Sequence, residues 1–283
     1  MDIVQVKDFF EVGPGRPFLL IAGPCVLESE EMALQIAGHL KEVAGRLGIS
    51  YVFKASFDKA NRTSLAAFRG PGLEQGLAIM ARIRETLKVP VISDIHEAAQ
   101  VEAAADVLDI LQIPAFLCRQ TDLLLAAANS GRPVSLKKGQ FLSPWDMQHA
   151  VSKVKSTGNR NLLLVERGAM LGYNNLVVDM RSFPVMRDLG CPVVYDATHS
   201  VQLPGGAGTS SGGQREFIPP LARAAVAAGI DGLFMEVHPE PAKALCDGPN
   251  SWPLDRVEEL LVGLLAIRGA AAPYNGTSGQ ITK

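Results

Sequence analysis

Four side chains suited to binding a divalent metal stand at or just beyond the ends of apolar runs in this 283-residue chain: the Cys25 thiol, the His199 imidazole and the carboxylates of Glu236 and Asp247. Thiolate, imidazole and carboxylate together match borderline ions such as Zn²⁺, Fe²⁺, Mn²⁺ or Co²⁺. Singly, each has a plainer use. A lone cysteine is most often a small buried hydrophobe, and a histidine ending a strand is most often a hydrogen-bonding structural residue. It is the convergence of four such ligands that points to a metal. His238 lies two residues from Glu236, on the same face of a strand, and competes with His199 as nitrogen ligand.

A second group is cationic. Lys54 and Lys137 sit inside the apolar frames YVFKASF and PVSLKKGQ, and Lys59 and Arg167 follow two such frames closely. An ammonium group in an apolar strand needs an anion beside it. A bound phosphate fits that need, and internal pairing with Asp58, Asp94 or Glu166 is the competing reading. His96 reads as a supporting hydrogen bonder, and Cys118 and Cys246 read as core or loop thiols.

The elements that must position these groups alternate along the chain. Apolar runs at 18–25, 51–57, 89–96, 110–116, 133–140, 162–168, 192–200 and 232–239 read as buried strands. Between them, helical periodicity marks 28–48, 72–87, 97–108, 121–131, 215–230 and 253–269. Continuous apolar strands indicate a sheet covered on both faces, and eight β-α units in such a length predict a TIM (β/α)₈ barrel. A doubly wound open sheet is the alternative, but no G-x-G-x-x-G follows the first strand. In a barrel, strands 7, 8 and 1 are neighbours, so His199, Glu236 and Cys25 share one arc of the C-terminal mouth and Asp247 folds back over it. Lys54, Lys59, Lys137 and Arg167 come from strands 2, 5 and 6 and form an anion site. Residues 1–17 read as a hairpin closing one end of a single domain spanning 1–273. GGAGTSSGGQ (205–214) reads as a mobile loop with nothing to pack, and 274–283 as a disordered tail.

Composition excludes several classes of partner. With 27 Lys+Arg against 29 Asp+Glu, the net charge of −2 favours neither nucleic acid nor an anionic membrane. No apolar run is long enough to span a bilayer, the acidic N-terminus lacks a signal pattern, and four scattered cysteines suit reduced thiols in a cytoplasm.

The segments AGPCVLES (22–29), FKASFDKANRTS (53–64), QIPAFLCRQTDLL (112–124), KKGQF (137–141), ERGAMLGYNNLVVDM (166–180), YDATHSVQLPGG (195–206) and MEVHPEP (235–241) resemble the 3-deoxy-D-manno-octulosonate 8-phosphate synthases over nearly the whole chain. That family condenses phosphoenolpyruvate with arabinose 5-phosphate on TIM barrels, usually as homotetramers, in the synthesis of lipopolysaccharide. It has metal-dependent and metal-independent classes. The resemblance implies the metal-dependent class, with Cys25, His199, Glu236 and Asp247 as ligands, although ALCDGP (244–249) is closer to metal-independent members. It implies Ser56, Lys59, Lys137 and Arg167 for phosphoenolpyruvate. Lys54, Asn61, Arg62, Thr63 and Gln202 are implied for the sugar phosphate, with Arg62 and Thr63 reaching a neighbouring subunit. His199, Lys54, Asp247 and Asn61 are the implied catalytic groups. Three alternatives remain at this stage: the related heptulosonate 7-phosphate synthases that use erythrose 4-phosphate and carry KPRTS where this chain has KANRT, a Schiff-base aldolase using Lys54 or Lys137, and a non-catalytic phosphosugar-binding barrel.

Overall fold

In the computed structural model, which describes residues 1–205 and 212–274, eight parallel strands close into a barrel. They are β3 (Leu19–Gly23), β4 (Ser50–Lys54), β5 (Val91–Asp94), β6 (Ile110–Ile113), β7 (Val134–Lys137), β8 (Leu162–Glu166), β11 (Val193–Asp196) and β14 (Gly232–His238). Each pairs with the next, and β14 pairs with β3 to complete the ring. Two short strands, β1 (Val4–Val6) and β2 (Phe10–Val12), form the expected N-terminal hairpin. The remaining pieces lie in strand-end loops: β9 (Ala169–Met170) with β10 (Leu176–Val177), β12 (Gln202–Leu203) with β13 (Gly212–Gly213), and β15 (Trp252–Pro253) beside β14.

The six expected helices form as α1 (Glu30–Leu47), α2 (Leu73–Leu87), α3 (Val101–Val107), α4 (Thr121–Asn129), α7 (Ile218–Ala228) and α8 (Val257–Ala271). Two more, α5 (Met147–Ser156) and α6 (Ser182–Arg187), fill the units after β7 and β8. Local chemistry sets helix limits where it can. Ser29 caps α1 by accepting from the Met32 N–H, and Gly48 ends it in the left-handed conformation. None of the described helices is long and apolar enough to cross a membrane.

Strand parity divides the core into two layers and builds the site. Leu20, Phe53, Leu111, Leu136, Leu164, Tyr195 and Met235 pack in the larger cluster with the helices. Their neighbours Leu19, Ile21, Val52, Ile92, Ile110, Val165, Val194 and Phe234 fill the lumen, where Val4, Val6 and Val12 of the hairpin join them as a plug. Successive side chains on a strand point to opposite faces. Residues two positions beyond the lumen hydrophobes therefore form the next layer up: Lys54 after Val52, Asp94 after Ile92, Gln112 after Ile110, Arg167 after Val165, Asp196 after Val194 and Glu236 after Phe234. The lumen changes from apolar to ionic within one layer.

At Gly23, in register with Glu236, the backbone of β4 approaches closely. A Cβ there would lie 2.0 Å from the Lys54 carbonyl oxygen. Gly23→Ala is expected to destabilise the barrel by about 1–3 kcal/mol, seen as a lower urea midpoint. An unchanged midpoint would show that β4 gives way freely.

The loop expected to be mobile at 205–214 is described at its two ends. Gly212 and Gly213 pair with Leu203 and Gln202, so the end of that loop does pack. Residues 206–211, and 275–283 of the expected tail, lie outside the described residues.

Candidate active site

The ionic layer floors a cavity of about 900 Å³ at the C-terminal ends of the strands, lined by Lys54, Ser56, Lys59, Asn61, Arg62, Thr63, Lys137, Arg167, His199, Gln202 and Asp247 among others. Glu236 is its electrostatic centre. This fully buried carboxylate accepts from Lys54 Nζ at 3.1 Å, and Lys59 Nζ and His199 Nε2 each lie 3.5 Å from the same oxygen, Oε1. Burial alone would raise its pKa. The charges of His199, Lys59, Lys54 and Lys137 overcome that and hold it well below the carboxylate range. Its other oxygen, Oε2, is buried with no hydrogen-bond partner among the described residues.

His199 opens a short 3₁₀ turn after β11, and Asp196 fixes it. The backbone N–H of His199 donates to Asp196 Oδ1 at 2.9 Å, and Nδ1 lies 2.8 Å from Oδ2. Nε2 is therefore the nitrogen turned toward Glu236 and, at 3.8 Å, Asp247 Oδ2. Lys137 Nζ also donates to Asp196, at 2.7 Å, and lies 3.9 Å from the centroid of the Phe234 ring. Burial pushes the Lys137 ammonium down, and the Asp196 charge opposes that push.

Asp247 arrives from the loop after β14 on a left-handed backbone, with φ of 48°, a conformation that aspartate tolerates better than most residues. It reaches two partners: Cys25 Sγ donates to Oδ2 at 3.4 Å and Gln202 Nε2 to Oδ1 at 3.3 Å. The four expected ligands, together with Cys246, which reads from sequence only as a core or loop thiol, fall into two triads that share Asp247. In one, ligand atoms of His199, Glu236 and Asp247 lie within 4.8 Å of one another; in the other, those of Cys25, Cys246 and Asp247 do. A partnerless buried carboxylate oxygen beside imidazole, thiols and a second carboxylate is a donor set that fits a divalent cation.

On the anion side, Arg167 donates through Nη2 to Gln202 Oε1 at 3.2 Å, while its Nη1 is buried without a partner among the described residues. Burial lowers its pKa, with Asp196 and Asp247 opposing. An anion placed beside it would satisfy that nitrogen. Ser56 is fully buried and accepts from Lys54.

Three expectations change. Lys54, assigned to the sugar phosphate, is 1% exposed and already donates to the Cys25 carbonyl, Ser56 Oγ and Glu236, which leaves no free proton for a phosphate. His238 joins neither triad. It accepts from the Glu240 N–H through Nδ1, and its Nε2 lies 3.7 Å from Glu28, because the strand end carries it past the ring of ligands. Glu166 and Lys138 have helix-facing parity and pair with each other at 3.5 Å, away from the lumen. Arg62 and Thr63 line the cavity, and Arg62 donates to the carbonyls of Phe68 and Leu245.

The cavity also contains groups the sequence reading gave no role. Gln112 and Gln140 line it with buried Oε1 atoms that have no partner among the described residues; His96, read as a supporting hydrogen bonder, has its Nε2 3.0 Å from Asp94 Oδ2. Lumen parity after Ile110 would have found Gln112. No local signal marks Cys246, which the fold brings from the β14 loop to Cys25.

A family model described as the DAHP synthetase I family matches residues 3–265. A protein of Desulfotalea psychrophila named 2-dehydro-3-deoxyphosphooctonate aldolase is 69% identical over 259 residues, 92% of each chain. Proteins with the same name from Syntrophotalea carbinolica and a Geobacter species are each 65% identical, covering 94% and 91% of this chain and 96% and 94% of their own.

Proposed function

The chain belongs to the DAHP synthetase I family, and from that premise we propose that it condenses phosphoenolpyruvate with D-arabinose 5-phosphate and water. The products are inorganic phosphate and 3-deoxy-D-manno-octulosonate 8-phosphate, the phosphooctonate in its relatives' name. One observation carries the reading in the structure: the buried Arg167 Nη1, without a partner among the described residues, lines the same cavity as Lys137, next to a cluster of acid, thiol and imidazole. Such a site takes an anion on one side and polarises oxygen on the other.

In the reaction, C3 of phosphoenolpyruvate bonds to the aldehyde C1 of the sugar, water adds at C2, and the C2–O bond breaks to release phosphate. Lys137, Lys59 and Arg167, with Ser56, neutralise and orient phosphoenolpyruvate. Asn61, Arg62 and Thr63, on the rim of the same cavity, address the sugar phosphate. Gln202 links the two halves through its hydrogen bonds to Arg167 and Asp247. Holding two mutually repelling anions face to face is the largest task, and it is met by fixed charges and preorganised donors. Lys54 serves differently, by neutralising Glu236 from below. Cys25, His199, Glu236 and Asp247 would hold a divalent cation. When bound, it supplies Lewis acidity that orients an aldehyde oxygen or acidifies water.

The proposal extends to a cytoplasmic homotetramer. Four unpaired cysteines suit a reducing compartment. The exposed Leu65, Phe116, Phe141 and Tyr173 on strand-end loops offer apolar surface for a second copy.

Phosphate release with each sugar tests the reaction. Turnover is expected with arabinose 5-phosphate, to be lost after chelation and gel filtration, and to return with Mn²⁺, Co²⁺ or Zn²⁺. A comparable kcat/KM with erythrose 4-phosphate would move the chain to the heptulosonate branch. Covalent labelling by borohydride with substrate would instead indicate a Schiff base.

A further inference from the structure

Cys246 is 3% exposed, packs with Cys25 and Val26, and lines the cavity beside Asp247. The sulfurs of Cys25 and Cys246 and a carboxylate oxygen of Asp247 lie within 4.8 Å of one another. Two sulfurs on one tetrahedral zinc, with bonds of about 2.3 Å, sit about 3.8 Å apart, so the two thiols already stand near the spacing of a shared ion. The left-handed backbone at Asp247 sets its carboxylate against Cys25, alongside the Cys246 thiol. The buried, partnerless Glu236 Oε2 belongs to the adjoining triad that shares Asp247. We propose that Cys246 is a second sulfur donor at this centre, so that Cys25 and Cys246 bind as a pair and the site favours thiophilic Zn²⁺ and Co²⁺ over Mn²⁺. The inference rests on the metal reading above. Its chemical basis is that thiolate is the softest ligand a protein offers, and each added sulfur discriminates against the hard, oxygen-seeking Mn²⁺.

The test uses full-length, metal-free wild type and Cys246→Ser, with folding checked by circular dichroism. On Co²⁺ titration the thiolate-to-cobalt charge-transfer band of wild type is expected to be about twice that of Cys246→Ser. In competition with a chelator, Zn²⁺ affinity should fall at least about tenfold in the variant while Mn²⁺ affinity changes less than about twofold. Equal bands and equal Zn²⁺ affinity overturn the proposal, as does Co²⁺ uptake by wild type with no thiolate band, or no uptake at all. Should Cys246→Ser misfold, iodoacetamide labelling of wild type read by peptide mass decides: Zn²⁺ should shield both cysteines, and shielding of Cys25 alone overturns the pair. Phosphate release from the same wild-type batch reports separately on the synthase reading, which can fail or stand without these metal results.

Discussion

Glu236→Gln is expected to lose both catalysis and a large part of the barrel's stability, because the carboxylate it removes is the counter-ion for several groups. Lys54 and Glu236 are both essentially inaccessible, with Lys59 and His199 on the same oxygen. Removing one partner of a buried pair leaves the other uncompensated and costs about 3–5 kcal/mol. Urea unfolding of metal-free protein reads that loss directly. Adding Lys54→Met to Glu236→Gln removes the stranded ammonium, so the double variant should regain much of the stability while remaining inactive. That split separates the charge argument from simple packing damage. The pH dependence has a definite sign. The folded-state pKa of Glu236 is depressed, so its contribution is complete above the unfolded value of about 4.3 and is lost as pH falls through the lower folded value. The gap between wild type and Glu236→Gln should therefore be full near neutrality and close only in strong acid. A single variant as stable as wild type at pH 7 would refute the counter-ion role.

His199→Gln is expected to lose bound metal and turnover together while keeping the barrel intact. Asp196 grips Nδ1 and the backbone N–H, so Nε2 is the atom presented to Glu236 and Asp247. Glutamine can occupy the space but cannot supply that nitrogen at the same place. A fall in kcat/KM of about a thousandfold or more, roughly 4 kcal/mol of transition-state stabilisation, is the expected scale. The residue lies at a strand end, outside the apolar core, so circular dichroism and the unfolding midpoint should change little. Metal content by plasma emission on the same sample separates the roles. Retained metal with lost turnover would make His199 a proton donor to the departing phosphate; full metal with full rate would leave it no role in either.

The sequence by itself determined the barrel and the contents of its ionic layer. Eight apolar runs, their spacing and the helical periods between them specify the alternation, and two-residue parity is a covalent property of extended chain. Parity alone therefore decides that Lys54, Asp94, Asp196 and Glu236 share the lumen with Val52, Ile92, Val194 and Phe234. Parity read more strictly also separates Glu166 and Lys138 from that layer and adds Gln112 to it.

What only the tertiary structure decided lies in partner choice and in loops. From sequence, Lys54 reads as a phosphate ligand, with pairing to Asp58, Asp94 or Glu166 as the alternative; closure of β3 between β4 and β14 pairs it instead with Glu236, 182 positions away. His238 keeps the right parity but stands one step too far along β14, a displacement set by where the strands end relative to one another. Cys246 meets Cys25 only because the loop after β14 turns through Asp247 and folds back across the mouth. Side-chain direction along a strand is local and periodic, so it can be read from residue types. Contacts between a loop and a distant strand depend on the packing of everything between them, and nothing in the local sequence carries that information.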